Sequence, residues 1–178
     1  MKTKFFTLAI AILGFTSATF AQSTATNATA NASATMLTPL KIVKTQDLNF
    51  GNIASSNEQG TAILSTAGVV TRSGGFAVLT GIQATAAKFT VTGDANQKFT
   101  MSAPASIGLS SGTGSPLNLV LEYKTDLGAT LTAPSSTGVV LTGGSREILV
   151  GGTLTVPANT VAGVYKNETE LKITVSYE

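Results

Sequence analysis

Nine carboxylates are the groups best equipped for chemistry in this 178-residue sequence: Asp47, Glu58, Asp94, Glu122, Asp126, Glu147, Glu168, Glu170 and Glu178. Glycoside hydrolysis needs two such groups facing one sugar. Glu168 and Glu170 are the natural pair, because a spacing of two puts both on one face of a strand. They stand beside the turn into the last apolar run, where a solvated face is the expected role. Glu122, between Leu121 and Tyr123, is expected to point to water. The sequence has no His, Cys or Trp, which excludes imidazole bases, thiolate nucleophiles, disulfides and Cys/His zinc sites. No Asp-x-Asp-x-Asp-Gly loop points to calcium. Ser73-Gly74-Gly75, Gly143-Gly144 and Gly151-Gly152 lack the following Lys and Ser/Thr of a phosphate loop and read as turns. Ser110 to Ser115 reads as a flexible loop. The expectation is a chain that is not an enzyme, with no catalytic residue, no cofactor and no metal.

Binding chemistry is equally sparse. Sugar platforms rely on exposed aromatic rings. Beyond the first 21 residues the aromatics are Phe50, Phe76, Phe89, Phe99, Tyr123, Tyr165 and Tyr177, and most are needed for a core. The pairs Thr90/Thr92, Thr130/Thr132 and Thr153/Thr155 lack the regular spacing of an ice-binding face and read as solvent-facing strand positions.

The elements that would carry these residues are strands. Thr occupies 29 positions and Gly 18, only 11% of residues are charged, and 43% are hydrophobic. That balance favours β structure. Leu40 and Ile42 alternate with Lys41. Phe89 and Val91 share a face of Lys88–Thr92, and Phe99 and Met101 share a face of Lys98–Met101. The turn cluster Gly93–Asn96 between these two runs predicts a hairpin. Leu117, Leu119, Leu121 and Tyr123 alternate with Asn118, Val120, Glu122 and Lys124. Val139–Leu141 and Ile148–Val150 flank Gly143-Gly144, which predicts another hairpin. Gly151-Gly152, before Leu154 and Val156, suggests a bulge or a sharp bend. Leu171, Ile173, Val175 and Tyr177 form the last strand, with four inward residues in strict alternation. No helical period and no fixed repeat is present. The pattern predicts an all-β, immunoglobulin-like antiparallel β-sandwich.

Two segments precede that domain. Residues 1–21 have the parts of a secretory signal peptide: Lys2 and Lys4, an apolar run from Phe5 to Phe15, and small residues before a cut after Ala21. The run is shorter than the roughly 20 residues that span a bilayer. Export to the periplasm, cell surface or medium is expected, with no stable membrane insertion after cleavage. The remaining chain carries nine basic and nine acidic residues, so it has no charge footprint for nucleic acid. Residues 22–35 are a low-complexity extension too poor in apolar surface to fold alone. Ala28, Ala30, Ala32, Ala34 and Met36 nevertheless recur at every second residue, the period of a strand with one apolar face. The extension therefore reads as a tail or as a donor strand. Asn27, Asn31 and Asn167 start glycosylation sequons, to which no role is assigned. Residues 36–178 form the domain.

Resemblance enters at both ends of the domain. Pro39-Leu40-x-Ile42 with Leu48-Asn49-Phe50-Gly51 resembles the opening of a secreted bacterial β-sandwich family, domain of unknown function 4402. Val150-Gly151-Gly152-Thr153-Leu154, Ala162-Gly163-Val164-Tyr165 and Ile173-Thr174-Val175-Ser176-Tyr177 are similar to its second half. The resemblance covers residues 34–178 and implies fold and export rather than an activity. The last strand also resembles the end of chaperone–usher pilin subunits, whose sandwich lacks a strand that the next subunit's N-terminal extension supplies. That resemblance implies a strand-pairing edge at Leu171, Ile173, Val175 and Tyr177. It implies a donor segment at Ala28, Ala30, Ala32, Ala34 and Met36, with copies of the chain or related subunits as partners. Two departures are the small donor residues and the missing disulfide. An ordinary strand closing a complete sandwich is the other reading of the C-terminus. The expected function is an exported, non-catalytic, fimbrial-subunit-like surface protein. The alternative is a monomeric secreted, adhesin-like binding module for a surface glycan or protein.

Overall fold

The computed structural model describes residues 26–75, 77–79 and 81–178, without the Val78 side chain. The expected export signal, residues 1–21, lies outside the described residues, as does Phe76. The strands are β1 (Lys41–Gln46), β2 (Asn52–Ala54), β3 (Gly60–Leu64), β4 (Val70–Gly74), β5 (Ala77–Leu79), β6 (Ala87–Thr92) and β7 (Lys98–Ser102). They continue with β8 (Ser106–Leu109), β9 (Leu117–Thr125), β10 (Thr130–Leu131), β11 (Ser135–Val140), β12 (Ser145–Val156) and β13 (Thr174–Tyr177). No α-helix occurs among the described residues. No helix there is long and apolar enough to cross a membrane. The chain divides into two units, residues 1–35 and 36–178. In the first, residues 26–35 form no strand and their side chains are exposed.

The second unit is all-β and its ladders are antiparallel. Strand β12 is the spine of an eight-stranded sheet. Its first half pairs with β6, its second half with β3, and its other side with β9. A three-stranded sheet has the order β11-β7-β13, and β2 and β5 form a small ladder. Alternation explains the strands. In β9, Leu117, Leu119, Leu121 and Tyr123 are buried, whereas Asn118 and Val120 are exposed. The core joins Phe89, Val91 and Ile148 of the large sheet to Phe99, Met101 and Val139 of the small one. Burying each such side chain contributes about 1.5–3 kcal/mol. Tyr123 is buried too, and its hydroxyl donates to the Pro104 carbonyl oxygen at 2.7 Å. Burial pushes the pKa of that hydroxyl up.

Both expected hairpins are arches instead. Strand β6 lies in the large sheet and β7 in the small one, so Gly93–Gln97 carries the chain across the core. Likewise β11 belongs to the small sheet and β12 to the large one. The same turn residues serve either connection. Phe89 and Val91 face Phe99 and Met101 through the core, and that burial outweighs local strand pairing.

Two other expectations change. Gly151-Gly152 is neither a turn nor a bulge, because the pairing of β12 with β9 keeps one register from Ile148 to Leu154. A Cβ there would press on the carbonyl oxygens of Leu64 and Val120, so glycine admits the neighbouring backbones on both sides. Ser73 and Gly74 lie within β4 rather than in a turn. Glu168 and Glu170 lie in a bend, not on a strand. The last strand begins at Thr174, not at Leu171.

Candidate functional site

The three-stranded sheet ends at β13, which pairs with β7 alone. The pairing runs in register from Thr174 opposite Ser102 to Tyr177 opposite Phe99. The Glu178 N–H continues it by donating to the Lys98 carbonyl oxygen at 3.3 Å. In an antiparallel ladder alternate residues turn their backbone groups to the partner. Thr174, Ser176 and Glu178 therefore face β7, and Val175 and Tyr177 turn their N–H and C=O groups to the open edge. Side chains alternate as well: Ile173 is buried, Leu171, Val175 and Tyr177 are half-buried, and Lys172, Thr174 and Ser176 are exposed. The first of these groups packs against the core.

Other edges of the two larger sheets carry devices that discourage pairing. Strand β1 has Lys41 and Lys44 and a register shift between Lys44 and Gln46. Strand β4 carries Arg72 at its centre. Strand β10 has two residues. Strand β8 is covered: Asn167 Nδ2 donates to the Gly108 carbonyl oxygen at 2.7 Å, and the Gly108 N–H donates to Glu170 Oε2 at 3.3 Å. Strand β11 shifts register between Ser136 and Val139. There Gly138 has φ +73°, and its N–H donates to Glu178 Oε1. By contrast β13 is regular and uncharged from Thr174 to Tyr177.

One end of the β13 edge is closed by a hydrogen-bonded triangle. Tyr177 Oη donates to the Thr38 carbonyl oxygen at 2.8 Å and accepts from the Asp94 N–H at 2.8 Å. The Thr38 N–H donates to Asp94 Oδ2 at 2.7 Å. Hydrogen bonding from the Thr38 side chain and backbone holds the Asp94 carboxyl below its ordinary value. The triangle ties the lead into β1, the β6–β7 arch and the end of β13 together.

The remaining sequence candidates are dispersed. Glu168 pairs with Lys166 at 2.6 Å, which holds the Glu168 carboxyl below and the Lys166 ammonium above their ordinary values. Glu170 instead accepts from Asn167 Nδ2 at 2.7 Å. Glu122 pairs with Lys124 at 2.7 Å. Phe50, Phe89, Phe99 and Tyr123 are buried, and Tyr165 is half-buried with its hydroxyl on the Val161 carbonyl oxygen. Met36 is 91% exposed. Among the described residues no cluster of three acidic side chains is placed to hold a metal ion.

Sequence reasoning missed Arg146, which is 5% exposed. Its guanidinium donates to the Val140 carbonyl oxygen from Nε at 3.0 Å and Nη2 at 2.8 Å, to Asp126 Oδ1 at 3.0 Å and to Thr142 Oγ1. It pins the β11–β12 arch. The only sequence signal is an arginine at an inward position, beside Ile148 and Val150.

A comparison with curated proteins found no match. The family model described as Domain of unknown function (DUF4402) matches residues 40–177, from the start of the β1 region to the last residue of β13. The chain belongs to the DUF4402 family.

Proposed function

We propose that the protein is an exported, non-catalytic structural protein of the cell surface. In this reading it is an immunoglobulin-like, fimbrial-subunit-like module that assembles by strand donation. The observation that carries this reading is the β13 edge, which is regular and uncharged where the other edges are bulged, charged, short or covered. An unguarded edge with an apolar inward face is what an added strand requires. Backbone hydrogen bonds supply affinity, and alternate side chains supply specificity. The donor is the segment with the matching period, Ala28, Ala30, Ala32, Ala34 and Met36. The signal-like residues 1–21 support export, and the absence of His and Cys supports a role without catalysis.

The test is sedimentation of the chain from Gln22 over a range of concentrations, beside the same chain lacking residues 22–36. The expected result is concentration-dependent assembly that the deletion abolishes. A monomer at every concentration, unchanged by the deletion, overturns the reading in favour of the secreted binding module.

A further inference from the structure

We infer that the β13 edge selects a donor strand with small side chains, and that its occupant is residues 28–36 of a second copy of this chain. This rests on the strand-donation reading above.

The depth left beside β13 decides which donor fits. A strand laid beside β13 would set its apolar side chains over the flank of the core. That flank is already largely filled by the chain itself. Ile173 is only 8% exposed, and Leu171, Val175 and Tyr177 are half-buried. Leu40 is half-buried beside them, since it and Tyr177 both crowd the position where a Gly93 side chain would project. Tyr177 cannot swing aside without losing its bonds to Thr38 and Asp94. What is left is a shallow strip. Val175 and Tyr177 set its period within β13, and Ile173 and Leu171 continue the alternation of burial just before the strand.

The extension matches that strip in period and charge, and in size at its four alanines, with Met36 the one large side chain at its end. Ala28, Ala30, Ala32 and Ala34 repeat every second residue, so successive methyl groups lie about 6.5–7 Å apart on an extended chain, as the inward residues of β13 do. Residues 26–35 contain no charged side chain, and they form no strand within their own chain. A leucine in place of an alanine would have to displace packed side chains, and overpacking of that kind is unfavourable. Small donors are thus the fitting partner of a nearly filled sandwich.

The test enlarges the donor and then makes room for it. The chain from Gln22 carrying Ala30→Leu and Ala32→Leu should assemble at least tenfold more weakly than the unsubstituted chain by light scattering. Adding Val175→Ala should recover a substantial part of that loss. If circular dichroism shows that Val175→Ala does not fold, Leu171→Ala takes its place. Equal or tighter assembly by the leucine variant overturns the inference while leaving strand donation standing. A loss that neither acceptor variant relieves also overturns it. An unsubstituted chain that stays monomeric overturns the donation reading itself.

Discussion

The two outer strands of the small sheet, β11 and β13, share β7 as their neighbour but treat their free sides differently. Strand β11 is interrupted between Ser136 and Val139, and Gly138 adopts a left-handed conformation that other residues rarely accept. Glu178 reaches across to bond the Gly138 N–H, accepting also from Thr100 Oγ1 at 3.4 Å. Arg146 anchors the arch beyond β11. Strand β13 has an unbroken register and no charge. A guarded edge beside an unguarded one in the same sheet shows that exposure of backbone is not a general property of this fold. It is confined to β13, and under the proposed strand donation such an edge would limit association to one direction.

The largest expected effect comes from removing a backbone donor on the unguarded side. Val175→Pro deletes an N–H that faces away from β7, a placement proline tolerates on an edge strand. Assembly should vanish in sedimentation, while the monomer loses only about 1 kcal/mol in urea unfolding. Thr137→Lys on β11 should leave assembly unchanged. Equal losses from both variants would break the contrast between the edges.

A smaller effect is expected at the guarded side. Arg146→Ala strands the half-buried Val140 carbonyl oxygen and removes a buried side chain, and should cost about 3 kcal/mol, while water meets the exposed Thr142 hydroxyl. Asp126, 37% exposed, is partly rehydrated and adds little. The exposed Glu122–Lys124 pair is the control: Glu122→Gln should cost under about 1 kcal/mol. Urea midpoints compare the two.

The smallest effect is a pH dependence at the closed end of the β13 edge. The Asp94 carboxyl sits below its ordinary value of 3.8 in the folded chain. A lowered folded value means that its contribution is full above 3.8 and is lost as pH falls through the lower folded value. Asp94→Asn should therefore flatten the acid limb of the stability curve and change little at neutral pH. A parallel curve for the variant would show that the Thr38–Asp94–Tyr177 triangle does not depend on this charge.

Much of the candidate site was legible in the chain. The alternation of Leu171, Ile173, Val175 and Tyr177 reappears as alternating burial. The residues that guard the other edges were not legible. Asn167 read as a sequon, yet its amide covers Gly108, 59 residues earlier in the chain. Arg146 counted only as one of the nine basic residues beyond residue 21.

Local alternation and composition determined that these segments are strands, because which face of a strand is apolar depends on neighbours two residues away. Pairing depends on contacts far along the chain. Gly93–Gln97 could have closed a hairpin or crossed the core, and burial of Phe89 and Val91 against Phe99 and Met101 decided for the crossing. That choice, made by packing across the sandwich rather than by any turn residue, placed β7 in the small sheet and left β13 at its edge.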